Sequence, residues 1–195
     1  LVPQLPEWFD EPLADPSQLP TYVICREARR EVTVAVSGDG GDEIFAGYNR
    51  YVQGDSLLER GARLGGVGRG VVAAGIDALS PKGWDRAARA MAPLIPAARK
   101  YRGPGEKLHK IGDALRHGDA AGMYRSLLSA AFQEPSRLVR GGRDVAGAVE
   151  AAFAMPGALG RIERMMLADQ LEYLPDDLLA KVDRVSMAVS LEVRV

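Results

Sequence analysis

Val32-Thr-Val-Ala-Val-Ser37-Gly-Asp-Gly-Gly-Asp-Glu43 is an apolar strand pattern that runs straight into a glycine-rich acidic loop. Five apolar or β-branched residues in succession suit a parallel strand covered on both faces. The three glycines of the turn allow positive φ and let backbone N–H groups come close to a phosphate. Asp39, Asp42 and Glu43 place carboxylates at the carboxyl end of the strand, where open α/β sheets bind their ligands. Acids beside a phosphate cradle point to a divalent cation between them, because Mg2+ commonly bridges carboxylates and phosphates. The stretch reads as a nucleotide site.

On the N-terminal side, Pro16-Ser17 introduces a helix predicted from about residue 18 to Arg30, with Cys25 inside it as a buried structural thiol. On the C-terminal side, Asp42 is expected to cap a helix beginning near Glu43, with Ile44, Phe45 and Tyr48 as its apolar side. The glycine-rich segment Gly61 to Gly75 predicts a loop with a short helix. Pro81, Pro93, Pro96 and Pro104 divide the next region into short pieces. Gly118-Asp119 precedes a helix to about Ala131, and Pro135-Ser136 starts another short one. Arg161 to Tyr173 forms a helix broken by Pro175. In the last helix, Leu178, Val182, Val185 and Val189 share one stripe at 100° per residue and should be buried. Asp177, Lys181 and Arg184 align on a second stripe, and Asp176 and Asp183 on a third. These charges make either a solvated face or a wall of a substrate pocket, where the cations face a carboxylate or phosphate and the acids face an ammonium. The fold class expected is α/β, predominantly helical, with few parallel strands.

Composition narrows the partners. The 195 residues carry a formal net charge of -1, which gives no nucleic-acid or membrane footprint. No apolar run approaches the roughly 18 residues of a membrane span. The single cysteine rules out an internal disulfide framework and suits the cytoplasm. Gly40-Gly41-Asp42-Glu43-Ile44-Phe45 comes close to the signature of diguanylate cyclases, but Ile44 spoils the register of that hairpin and no returning strand comes after it. Gly68-Arg69-Gly70-Val71-Val72-Ala73 fits a loose dinucleotide fingerprint with no strand before it.

Ser37-Gly-Asp-Gly-Gly-Asp-Glu-Ile-Phe-Ala-Gly-Tyr-Asn-Arg-Tyr51 resembles the second nucleotide loop of the glutamine-dependent asparagine synthetases. Tyr173-Leu-Pro-Asp-Asp-Leu-Leu-Ala-Lys-Val-Asp-Arg-Val-Ser-Met-Ala-Val-Ser-Leu-Glu-Val-Arg-Val195 resembles another signature of the same synthetase domain. Asp10-Glu11-Pro12 through Pro20-Thr21-Tyr22 is similar to the approach to a first loop. The family's pyrophosphate loop, S-G-G-x-D-S, and the cysteine nucleophile of its glutaminase domain do not occur in this chain. Residues 1–195 are therefore expected to be part of a synthetase domain with an ATP-pyrophosphatase-like (adenine-nucleotide alpha-hydrolase) fold, a piece inactive by itself.

The resemblance implies ATP and Mg2+ as cofactors and aspartate as the acceptor. It also implies a β-aspartyl-AMP intermediate, ammonia from a glutaminase domain, and a homodimeric parent enzyme. Ser37 and Gly38 match residues that contact ATP. Asp39 matches the acidic position associated with forming or aminolysing the intermediate, where many relatives carry Glu. Asp42 matches a metal-binding aspartate. Asp176, Asp177 and Arg184 are the expected substrate contacts. Glu43 is expected to act as a charge at a helix N-terminus. Amidation of a different carboxylate, or a helical interaction module without catalysis, are the alternative functions.

Overall fold

The structure, a computed structural model, describes residues 1–91, 103–129, 139–142 and 145–195. The chain divides into two compact units, Leu1–Asn49 with Ala158–Val195, and Arg50–Gly157. Helix dominates both, and two short parallel strands make up the sheet of the described residues.

The first unit begins with a 3-10 turn at Val2–Gln4 and a short helix α1 (Leu5–Trp8), followed by α2 (Gln18–Ala28). The Trp8 and Tyr22 rings stack with centroids 4.2 Å apart, which ties α1 to α2. Strand β1 (Val34–Val36) leads to the one-turn helix α3 (Gly41–Phe45). After the excursion through the second unit come α9 (Arg161–Leu171), a π-helical turn (Leu174–Leu179), α10 (Ala180–Met187) and β2 (Glu192–Arg194). β1 and β2 pair in parallel with Val34 opposite Glu192, Ala35 opposite Val193 and Val36 opposite Arg194. Helix α2 packs on α10, and α3 on α9. Cys25, Met165, Ala168, Val182, Val185 and Leu191 are the buried apolar side chains. Val182 and Val185 lie on the stripe that periodicity marks for burial; Leu178 and Val189 are half-buried.

The second unit contains α4 (Asn49–Asp77, whose first residue lies in the other unit), α5 (Pro81–Met91), α6 (Pro104–Arg116), α7 (Ala120–Leu128) and α8 (Ala148–Ala154). Asp119 caps α7 by accepting from the Gly122 N–H at 2.7 Å. Ala114, Leu115, Met123, Tyr124, Val149 and Ala152 are buried within it.

Several expectations need correction. The loop expected over Gly61 to Gly75 is helix, interrupted only at Gly65 (φ 65°, ψ 177°). Glycine costs about 1 kcal/mol per helical position, but close packing outweighs it: a Cβ at Gly61 would stand 2.7 Å from the Met123 Cε. Asp42 does not cap α3. The N-cap is Gly40 with φ 84°, and Asp42 lies in the first turn. Ile44 and Phe45 are exposed rather than an apolar contact side, since α3 ends after five residues. Nor is β1 covered on both faces: Val34 is 43% and Val36 83% exposed. Apolar content sets what a strand is able to bury, and only neighbouring layers decide what it does bury. Pro175 does not end the helical path but enters the π-helical turn in its first positions, where its missing N–H is tolerated. The predicted Pro93, Pro96 and Pro135-Ser136 boundaries, and the end of the helix at Ala131, lie outside the described residues.

Candidate functional site

The loop after β1 is built by local hydrogen bonds. Ser37 N–H continues the ladder to the Arg194 carbonyl at 2.8 Å. Ser37 Oγ donates to Asp39 Oδ2 at 2.7 Å, and Gly41 N–H donates to the Gly38 carbonyl at 3.2 Å. Gly40 requires its positive φ, and a Cβ there would lie 3.7 Å from both Leu174 methyls, so the loop rests against the π-helical turn. Around Gly38 and Gly41 the situation differs. A Cβ at either would meet nothing within 4 Å. Packing among the described residues does not demand glycine at these two places. A ligand approaching the backbone does, and this fits a nucleotide phosphate.

Asp39 is half-buried beside α2. Burial, and then the Asp39 charge, push the Cys25 thiol up from its ordinary value, which keeps it protonated and inert. Asp42 is exposed, and its carbonyl accepts from Gly47 N–H at 3.0 Å. The turn closes tightly, with Ala46 in the left-handed region at φ 57°, and a Cβ on Gly47 would run into the Asp42 carboxylate.

Glu43 is not the surface charge its position suggests. It is fully buried, its Oε1 accepts from Tyr48 Oη at 2.6 Å, and its Oε2 has no hydrogen-bond partner among the described residues. Gln170 Nε2 donates to the Glu43 carbonyl at 2.8 Å, fastening α3 to α9. Tyr48 and Tyr173 meet edge to face at 6.3 Å.

The second set of expected residues separates in space. Asp176 is exposed. Arg184 makes an exposed ion pair with Asp10 at 2.7 Å, a contact worth at most about 1 kcal/mol. Asp177 faces a cleft formed with Leu13, Ala14, Asp15, Pro16 and Tyr173. Lys181, expected on the same stripe as Arg184, is only 6% exposed. Its Nζ donates to Asp15 Oδ2 at 2.6 Å and to Ser17 Oγ at 2.8 Å. Asp15 also accepts from the N–H and Oγ of Ser17, both at 2.8 Å. Burial pushes the Asp15 carboxyl up, yet the hydrogen bonds from Lys181 and Ser17 outweigh it and hold the group below 3.8. Sequence reasoning missed this network. Its only local sign is the Asp15-Pro16-Ser17 turn signal.

Among the described residues no group of three or more His, Cys, Asp or Glu side chains is arranged to hold a metal. A lone Asp42 carboxylate suits a Mg2+ carried in on phosphates, since that ion keeps few protein ligands. Asp42→Asn in the full-length protein is expected to raise the Mg2+ concentration needed for half-maximal pyrophosphate release while leaving thermal stability unchanged, because Asp42 caps nothing. An identical Mg2+ titration curve would remove Asp42 from metal binding.

Strand, open glycine loop and acidic flank together define a nucleotide-site architecture in a mostly helical domain, and the comparisons agree. The family model "Asparagine synthase" matches residues 1–195. The chain belongs to the asparagine synthase family. It is 29% identical over 196 residues to "Asparagine synthetase [glutamine-hydrolyzing] 1" of Bacillus subtilis, with all of this chain and 27% of that protein covered. It is 29% identical over 194 residues to the "Putative asparagine synthetase [glutamine-hydrolyzing]" of Mycobacterium bovis, covering 100% and 26% respectively. A match to "Putative asparagine synthetase [glutamine-hydrolyzing] 2" of Methanocaldococcus jannaschii reaches 52% identity over 46 residues, 24% of this chain and 9% of that one. The chain thus spans about a quarter of the length of the first two relatives. No solved structure matches.

Proposed function

We propose that this chain carries the second nucleotide loop of an ATP-dependent amidotransferase that converts aspartate to asparagine. The observation that carries the reading is the open backbone at Gly38 and Gly41 at the end of β1, in a chain whose whole length matches the family. The fold class that goes with it is the ATP-pyrophosphatase type.

A carboxylate oxygen is a poor leaving group, so the β-carboxylate must be activated before nitrogen can displace it. Attack of that oxygen on the α-phosphorus of ATP releases pyrophosphate and gives β-aspartyl-AMP. Ammonia derived from glutamine then attacks the acyl carbon, AMP departs with the bonding electrons, and the nitrogen gives up a proton. Ser37 and the Gly38–Gly41 backbone bind and orient the phosphates, and Asp42 holds the cation that neutralises them. Asp39 is close enough to Ser37 to share its hydroxyl proton and is the candidate to receive a proton from the attacking nitrogen.

The test is an assay of the full-length protein with ATP, Mg2+ and L-aspartate, tracking pyrophosphate and, with glutamine, asparagine. Pyrophosphate release that depends on aspartate supports the reading. Release that ignores aspartate but responds to another carboxylate would replace the acceptor, and no ATP consumption at all would remove the enzyme assignment.

A further inference from the structure

The cleft between the Leu13–Pro16 segment and the π-helical turn has a volume of about 390 Å3. Its walls are apolar at Leu13, Ala14 and Pro16, aromatic at Tyr173, and acidic at Asp15 and Asp177. The two carboxylates are not equivalent. Asp15 is fully engaged by Lys181 and Ser17, so its charge is matched. Asp177 Oδ1 is buried with no hydrogen-bond partner among the described residues. The cation beside it, Lys181, is committed to Asp15 and Ser17. A buried carboxylate oxygen without a donor costs stability.

Two further features single out Asp177. It lies on the π-helical turn, a geometry with poor hydrogen bonding that recurs at functional sites. Burial first, and then the charge of Asp15, push its carboxyl up from 3.8, against the smaller opposite pull of Lys181. A donor cation placed on Asp177 would supply the missing hydrogen bond and favour the ionised form.

We propose that this cleft is an ammonium subsite, in which Asp177 accepts the N–H groups of a primary ammonium and the Tyr173 ring forms the wall beside it. An aromatic face next to a carboxylate is suited to such a cation, and the Lys181–Asp15–Ser17 network fixes the opposite wall while using up the charges that would compete. Resting on the function proposed above, the ammonium is either the α-ammonium of the amino-acid substrate or the ammonium form of the nitrogen donor. Both offer the same N–H donors, and Asp177 meets either in the same way.

The binding test uses the 195-residue chain. Methylammonium chloride is titrated in, with potassium chloride as the ionic-strength control, and side-chain carboxyl signals are monitored by 13C NMR. The Asp177 signal should shift with methylammonium and not with potassium. Absence of that shift overturns the subsite, whatever the full-length protein makes. The kinetic test uses the full-length protein. Asp177→Asn should raise KM for its ammonium-bearing partner about 10-fold or more, the size expected for a lost charged hydrogen bond, with KM for ATP unchanged. Succinate, which lacks the α-ammonium of aspartate, should inhibit wild type and variant equally. A rise confined to aspartate assigns the α-ammonium, and a rise confined to ammonia assigns the nitrogen donor. No change in either overturns the proposal. A methylammonium shift in a protein that does not consume ATP with aspartate would keep the subsite and remove the proposed function. The variant should fold: burial disfavours the ionised Asp177, so Asp177→Asn should be no less stable than wild type at pH 7, a point that thermal unfolding checks.

Discussion

Asp39→Asn in the full-length protein should leave ATP binding intact and lower asparagine output by about 100-fold or more, the usual size of a lost acid–base contribution. The amide preserves the shape of the loop and still accepts the Ser37 hydroxyl hydrogen bond that the carboxylate accepts at 2.7 Å. What it loses is the ability to take a proton and to stabilise a positive nitrogen near neutral pH. Asp39 also sits close enough to raise the Cys25 thiol, so its charge is felt in the interior and is not lost to bulk solvent. Two measurements separate the roles, an equilibrium titration with ATP and a rate of asparagine formation at saturating ATP. If affinity and rate fall together, Asp39 serves binding or structure instead. If neither changes, it has no part in the chemistry.

Lys181→Met should destabilise the chain by about 3–5 kcal/mol at neutral pH, the range for removing one partner of a buried ion pair. Its side chain is 8% exposed and that of Asp15 is 18% exposed, so the loss leaves Asp15 poorly solvated and without its cation. The direction of the Asp15 shift sets the pH dependence. Its folded pKa lies below 3.8, so its contribution is present above the unfolded value and disappears as pH falls through the lower folded one. In Lys181→Met the stabilised carboxylate is gone. The gap between variant and wild type should therefore be widest near pH 7 and shrink below about pH 4, where Asp15 protonates in both. Urea unfolding at several pH values measures this. Adding Asp15→Asn to Lys181→Met should recover most of the loss, because no buried charge then remains without a partner. A constant gap across pH would show that the Lys181 stem, not its charge, supplies the stability.

Both effects depend on parts of the chain that differ in how far their sequence reveals them. The strand, the glycine loop and the helix after it are contiguous, so the order of apolar, glycine and acidic residues determined their order in space. The same holds for α2, α9 and the buried faces of Val182 and Val185, where a 3.6-residue period carries the signal. Membership of the family was legible for the same reason, since its motifs are long contiguous strings.

Only tertiary structure decided the rest. Glu192–Arg194 alternates polar and apolar residues over three positions, too short a run to announce a strand, and becomes one because β1 offers it a parallel edge. Gly61 to Gly75 looks like a loop by propensity, yet the short contact from α4 to Met123 selects helix. Glu43 and Lys181 look like solvated charges by position. Each is buried because Tyr48 in one case, and Asp15 with Ser17 in the other, supply the hydrogen bonds that make burial tolerable. A backbone preference is local and amounts to about 1 kcal/mol per residue. The fate of a charge depends on partners brought from far along the chain, and the sequence around it holds no record of them.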